Sequence, residues 1–246
     1  MNMSEYKIKK VFYDEIDSTN LEIQRLSEKN FINDFTFVIS EKQSNGKGQA
    51  GNTWESNLGG LYFSFIIRPI LNINLMSLIA GISILETLTS FLITEEIKIK
   101  WPNDILVNHK KISGVLTEGK FKGNSIDYII IGCGINVNQN FSKSFHDNIP
   151  TSIKEQINKE FNKNEILDTF IENFTKNYFL SQKNEVQKIM DKINSSLYKK
   201  NELIKIKQLE NIIEGELLRI NNDGSILLLD SENNEKNIYF GKIEKK

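Results

Sequence analysis

The 246-residue chain predicts an α+β fold: a mixed β-sheet with helices over residues 1–195, then a small β unit over 196–246. Three observations carry this. Along the first part, β-branched segments alternate with apolar runs at helical spacing, whereas past Ser195 the hydrophobic period drops to 2. The composition, 39% hydrophobic and 26% charged, is that of a globular chain. A chain of this length buries roughly 70 to 75% of its unfolded surface.

Residues 8–13 mix apolar and polar side chains as a strand does. Asp17-Ser18-Thr19-Asn20 then supplies N-cap chemistry for an amphipathic run through Leu21, Ile23 and Leu26. Residues 35–39 and 61–67 read as strands, and 75–92 as a helix. Ile97-Lys98-Ile99-Lys100 alternates strictly; a lysine pair on one face of such a strand ordinarily marks a solvated edge. Asn108-His109-Lys110 suits the turn of a hairpin between 105–107 and 112–117. The β-branched character of the second arm runs over 111–118, and 128–131 is a further strand. Residues 151–194 are helical in pattern, with Phe170, Ile171, Phe174 and Tyr178 on one face. In the last unit, 203–206, 214–220, 225–229 and 237–240 are short strands, with a tight turn at Asn221-Asn222-Asp223-Gly224. At about 50 residues this unit sits near the lower limit for independent stability, so it should pack on the larger one.

Several function classes are excluded at this point. With 31 basic and 32 acidic side chains and a pI of about 6.2, the chain has no global affinity for nucleic acid or anionic membrane. The longest apolar stretches, 61–67 and 75–92, are interrupted by Ser, Thr, Glu or Gly and do not read as membrane spans. The first ten residues are charged, and the single cysteine, Cys133, closes no intrachain disulfide, so a reducing cytoplasm is the expected compartment. The two histidines, His109 and His146, are too few for a zinc site and stand in no Ser-His or Cys-His arrangement.

Glycine is unevenly spread. Gly46, Gly48, Gly51, Gly59 and Gly60 crowd one short segment whose core, Gly46-Lys47-Gly48-Gln49-Ala50-Gly51, matches G-x-G-x-x-G. The next six residues, Asn52-Thr53-Trp54-Glu55-Ser56-Asn57, make a poor helix, so a dinucleotide-binding turn fails on context; the spacing is also wrong for a P-loop. That leaves a loop of exposed N–H groups with one cation, Lys47, suited to an anion, or else a plain surface loop. Trp54 closes this segment and Trp101 opens Trp101-Pro102-Asn103-Asp104; each ring either packs a core or stacks on a base. Gly132 and Gly134 interrupt the apolar strand before Ile135 and Asn136, which points to close approach of a ligand or to a bulge. Cys133 between them reads as a small buried filler.

Together these segments resemble the biotin protein ligases (biotin–[acetyl-CoA-carboxylase] ligases). The likeness lies in Ser18-Thr19-Asn20, in Gln43 ahead of the glycine loop and Trp54, in Lys100-Trp101-Pro102-Asn103-Asp104, in Lys111-Ile112-Ser113-Gly114-Val115-Leu116-Thr117-Glu118, and in Gly132-Cys133-Gly134-Ile135-Asn136-Val137-Asn138, in that order. The resemblance implies a class II aminoacyl-tRNA-synthetase-like (biotin–lipoate ligase) catalytic domain capped by an SH3-like β-barrel. It also implies a two-step reaction: MgATP and biotin give biotinyl-5′-AMP, whose acyl group passes to a lysine of the biotin carboxyl carrier domain of acetyl-CoA carboxylase. By the same resemblance Ser18, Thr19, Asn20 and Gln43 hydrogen-bond biotin, while Lys47 and Lys100 are the catalytic cations at the reacting carboxylate and phosphate. Gly46, Gly48 and Gln49 form the phosphate loop, and Trp54 stacks near the adenine. Asn103 and Asp104 shape the nucleotide side, with Mg²⁺ arriving on ATP near Asp104 and no tightly bound metal; Gly114, Leu116, Gly132, Gly134 and Asn136 complete the pocket. A lipoate-type ligase and a non-catalytic biotin-binding sensor are the alternatives, and a homodimer is compatible with the sequence.

Two departures stand out. The family's loop usually reads G-R-G-R-x-G-R, and here its arginines are replaced by Lys47, Gln49 and Asn52. Lysine keeps a point charge without the bidentate fork, and Gln49 keeps neither. The expected result is weaker retention of the adenylate. The strand and Ser-Thr-Asn block also begin almost at once, which implies a monofunctional type without an N-terminal DNA-binding domain and without DNA binding.

Overall fold

The computed structural model describes residues 7–29, 32–68, 73–93, 95–123, 125–141, 149–183 and 185–244. His146 lies outside them. The chain runs β1 (Lys9–Ile16), α1 (Thr19–Glu28), β2 (Thr36–Gln43), β3 (Leu61–Ile67), α2 (Ile73–Phe91), β4 (Ile97–Lys100), β5 (Asp104–Val107), β6 (Lys110–Lys122) and β7 (Ser125–Ile135). The helices α3 (Ile153–Ile157), α4 (Lys163–Gln182) and α5 (Val186–Ser195) come next, and then β8 (Leu203–Gln208), β9 (Asn211–Ile220), β10 (Ile226–Leu229), β11 (Glu235–Ile238) and β12 (Lys242–Ile243).

The first sheet is mixed, in the order β1-β2-β3-β7-β6-β5-β4. β1 and β2 are parallel and joined by α1 as a crossover; every other neighbouring pair is antiparallel. One face is sealed by α2, α4 and α5. There Phe63 of the sheet meets Phe170 of α4 and Phe65 meets Phe174, with ring centroids 4.8 and 4.7 Å apart, while Phe37 stacks on Phe65 within the sheet at 4.7 Å. α2 is long and apolar enough to cross a bilayer by composition, but 72% of that stretch is buried inside the fold, where it serves as the core helix. Among the described residues, α1 is the one helix on the opposite face, over a smaller cluster of Ile23, Val38, Ile66, Tyr128 and Ile130. The uncovered remainder of that face is where the site forms.

The second sheet, β11-β10-β9-β8-β12, is antiparallel. Its inner residues Ile204, Ile206, Leu217, Ile226 and Leu228 belong to the same apolar cluster as the main core. The Asn194 side chain spans Ile220, donating to its carbonyl (3.0 Å) and accepting from its N–H (2.8 Å).

Four sequence expectations change. Residues 151–194 form three helices, because Asn158 turns left-handed (φ 52°) after α3 and Asn162 caps α4. β7 runs unbroken through Gly132 and Gly134, paired regularly on both sides, so no bulge forms there. Lys100 is no solvated edge residue: it is 7% exposed, because residues 196–198 hydrogen-bond along β4 through Ile99. The expected hairpin forms, but its turn is two residues rather than three: Lys110 already pairs with Val107, and Asn108 and His109 are both at positive φ (48° and 64°). β12, two residues long, is too short to leave a period in the sequence.

Candidate active site

The floor of the site is a row of missing side chains. On β6 and β7, Gly114 faces Gly134 and Leu116 faces Gly132, all on the face that α1 leaves uncovered. A Cβ on Gly132 would lie 2.1 Å from Asn20 Oδ1, and one on Gly134 only 2.5 Å from the Trp54 ring. The glycines therefore let two functional side chains settle onto the sheet. Above them a cavity of about 480 Å³, counting its open mouth, is lined by Ser18, Thr19, Asn20, Gln43, Lys47, Gly48, Gln49, Trp54, Asn103, Lys111, Gly114, Val115, Leu116, Gly132, Cys133 and Gly134.

One end of the cavity is a hydrogen-bond network, buried at Ser18, Thr19, Asn20, Ser56 and Ser64, half-buried at Gln43 and exposed at Glu118. Ser18, Thr19 and Asn20 are buried at the start of α1, where Asp17, held by Arg25, accepts from the Ser18 N–H (2.7 Å). Gln43 Oε1 accepts from the Thr19 N–H at 2.8 Å and lies 3.1 Å from Thr19 Oγ1, while Gln43 Nε2 donates to Ser56 Oγ at 2.8 Å. Ser64 Oγ, on β3, lies 2.6 Å from Thr19 Oγ1 and 2.5 Å from Asn20 Oδ1, and Asn20 Nδ2 donates to Glu118 Oε2 at 2.5 Å.

The other end is cationic and aromatic. Residues 46–54 form a small hairpin tied by Trp54 N–H to Gly46 O (2.9 Å) and Gly48 N–H to Asn52 O (2.7 Å), with a single 3-10 turn, Gln49–Gly51, at its tip. Trp54 is half-buried, with Lys111 Nζ 5.0 Å from its ring centroid, and Lys111 also pairs with Asp104 Oδ1 at 2.6 Å. The Trp54 indole N–H is buried and has no hydrogen-bond partner among the described residues. Asn103 is pinned to β6 by its Nδ2 on Val115 O (2.7 Å) and its carbonyl on Val115 N–H (2.9 Å).

A family model for the biotin/lipoate A/B protein ligase family matches residues 14–136, the span that holds every group just described. The chain belongs to this family. It is 34% identical over 143 residues to the bifunctional ligase/repressor BirA of Bacillus spizizenii, a match covering 56% of this chain and 43% of that protein. With the biotin–[acetyl-CoA-carboxylase] ligase of Paracoccus denitrificans it shares 28% over 125 residues, covering 49% and 51%. These matches span about half or less of the curated relatives' length. Among solved structures, the biotin protein ligase from Aquifex aeolicus in complex with biotin and ATP superposes with a TM-score of 0.83 at 30% identity, covering 96% of this chain and 97% of that one.

Within this biotin/lipoate ligase fold, most residues singled out from sequence converge, and four do not reach the cavity wall: Gly46, Lys100, Asp104 and Asn136. Gly46 sits at the loop root, where a Cβ would meet Trp54 O at 2.4 Å. Lys100 is buried opposite Asp104 in the β4–β5 register. Asp104 acts on the cavity through Lys111. Asn136 braces the chain after β7, its Nδ2 donating to Thr151 O at 2.9 Å. The Cys133 thiol is pushed well up from its ordinary pKa by burial and forms no disulfide. Nothing in the sequence motifs singles out Ser64, and Ser56, Lys111, Val115 and Glu118 stand there only as members of longer segments. Ser64 did leave a signal, as the one hydroxyl well inside the apolar run Leu61–Ile67 other than Tyr62. Lys111 left none that separates it from Lys110. Among the described residues no group of three His, Cys, Asp or Glu side chains is arranged to hold a metal.

Proposed function

We propose that this protein is a biotin protein ligase that activates biotin with ATP as biotinyl-5′-AMP and transfers the acyl group to a lysine of a biotin carboxyl carrier domain. The observation that carries this is one continuous cavity, with a hydrogen-bonding end at Thr19, Asn20 and Gln43 and a cationic end at Lys47 and Lys111, joined by a glycine floor. Such a cavity suits an elongated acid with a polar head and an anionic tail.

These groups account for the chemistry. A carboxylate is already ionised at neutral pH, so its oxygen attacks the α-phosphorus without a general base, a P–O bond forms, and pyrophosphate leaves. The obstacle is an anion approaching a polyanion. Lys47, Lys111 and the N–H groups of the 46–54 hairpin supply the opposing charge, and Trp54 offers the ring for the adenine. Mg²⁺ carried by the triphosphate would add charge neutralisation, and Asp104, beside Lys111 at the cationic end, is a carboxylate that would hold it, in keeping with a cation that takes one or two carboxylates plus phosphates. In the second step a neutral lysine amine attacks the acyl carbonyl: the C–N bond forms, the C–O bond to AMP breaks with its electron pair left on the phosphate oxygen, and the nitrogen gives up one proton to solvent.

The reading extends to the rest of the fold and its setting: a class II synthetase-like catalytic unit over 1–195, an SH3-like cap over 196–246, a cytoplasmic enzyme, and the carrier of acetyl-CoA carboxylase as acceptor. Incubating the protein with MgATP, labelled biotin and a carrier domain tests it. Label on the carrier, absent from a carrier lacking its lysine, is the expected result. Biotin bound without adenylate would make it a sensor; lipoate transferred in place of biotin would make it the other kind of ligase.

A further inference from the structure

Counting protons through the hydrogen-bonded end of the cavity assigns a role to Glu118, which sits exposed at its edge. The Asn20 amide is gripped at both ends, by Glu118 Oε2 at 2.5 Å and Ser64 Oγ at 2.5 Å. A carboxylate offers no proton, so only the NH₂ end of Asn20 can face it; the amide oxygen there would set acceptor against acceptor. Asn20 Oδ1 is thereby fixed on Ser64 and takes its one hydroxyl proton. Ser64 Oγ is also 2.6 Å from Thr19 Oγ1, a separation that requires a proton, and only Thr19 is left to give it. Its neighbour Gln43 Oε1, farther away at 3.1 Å, is served by the Thr19 backbone N–H instead. With its proton committed, the Thr19 hydroxyl can only accept from anything in the cavity it lines. Gly132 keeps the chain in place, since any Cβ there would displace Asn20.

We propose that Glu118 is a positioning residue that sets the direction of this chain of hydrogen bonds and so makes the Thr19 hydroxyl an obligate acceptor for a ligand N–H. The ligand head it selects is one that donates, as a cyclic urea does, and a purely apolar ring is disfavoured. This rests on the biotin reading above and says which group imposes the polarity. Glu118 itself does not line the cavity, so it acts only through Asn20.

The test compares the full-length wild type with Glu118→Gln, whose amide can turn either end to Asn20 and so permits both directions of the chain. Calorimetric affinities are measured for biotin and for biotin methylated on each ureido nitrogen in turn. In the wild type at least one methylated analogue binds about tenfold or more weakly than biotin, the scale of an acceptor left unpaired. In Glu118→Gln that gap narrows at least threefold, while KM for ATP and the melting temperature stay close to wild type. The steric cost of the methyl group is common to both proteins and cancels in the ratio. Glu118→Ala, which leaves Asn20 Nδ2 without a partner, loses more biotin affinity than Glu118→Gln. An unchanged gap in a variant that still binds biotin overturns the role of Glu118 alone. Failure of the wild type to bind biotin overturns both this role and the functional reading beneath it.

Discussion

The two tryptophans answer the same question in opposite ways. Trp101 is 2% exposed, and its indole N–H donates to Gly224 O at 3.0 Å on the turn between β9 and β10, so its apolar body and polar tip are both satisfied by the fold. Trp54 lies half-buried on a glycine floor beneath a lysine, and its N–H has no partner among the described residues. A buried donor left unpaired costs about 1–3 kcal/mol. A ring completed by the fold is architecture, and a ring the fold leaves incomplete is a platform for a ligand.

The largest effect separating the two is expected from Trp101→Ala. It removes a large buried ring and leaves a cavity between the two sheets, at a cost of about 3–5 kcal/mol. At about 2–4 °C per kcal/mol for a chain of this size, a melting curve should fall by roughly 6–20 °C. Trp54→Ala should leave the melting temperature within a few degrees and instead raise KM for ATP by about 5- to 100-fold, the value of one stacked base. A large loss of stability there would erase the distinction. Gly134→Ala drives a methyl into the Trp54 ring and should cost about 1–3 kcal/mol of stability, along with activity. Combined with Trp54→Ala it should cost less than the sum, because the clash is gone. Gln49→Arg should slow release of biotinyl-AMP by one to two orders of magnitude, since a charged hydrogen bond to phosphate is worth about 1.5–3 kcal/mol. Equal release rates would show that Lys111 or another cation already does this work.

The smallest effect lies outside both rings. Hydrogen bonding from Arg25 holds the Asp17 carboxyl below its ordinary pKa. A depressed carboxyl contributes stability above its unfolded value, near pH 4, and loses it as pH falls through the folded one. The pair is largely exposed, so the contribution is under about 1 kcal/mol. Urea unfolding between pH 3 and 6 should show the decline in the wild type and a flatter profile in Arg25→Ala.

Much of the fold is legible in the sequence because strands and capped helices announce themselves locally. Leu61–Ile67 and Ile97–Lys100 match their sequence patterns to the residue, and Ser18 stands at the N-cap of α1 where its residue type puts it, although its side chain makes no capping hydrogen bond. The glycines at 114, 132 and 134 are visible as anomalies, but what they make room for is not: Asn20 and Trp54 approach 132 and 134 from more than 70 positions away in the chain. The same limit hides the choice between cations. Lys100 and Lys111 both sit in motif segments, and it is the tertiary structure, the 196–198 segment along β4 for the first and the β5–β6 register for the second, that buries one and turns the other over Trp54. Ser64 and Glu118 matter for the partners they meet across the sheet, which no local pattern encodes.

The hairpin of residues 46–54 also bears on affinity. Because Gly48 and Asn52 are already bonded across it and Trp54 is tied back to Gly46, the backbone freedom a ligand would have to freeze is confined to the tip, Gln49–Gly51. At about 1–2 kcal/mol per residue, that ordering costs about 3–6 kcal/mol, against several times as much for an untethered stretch spanning all five crowded glycines. The loop's conformational entropy is spent mostly at folding, before any substrate arrives.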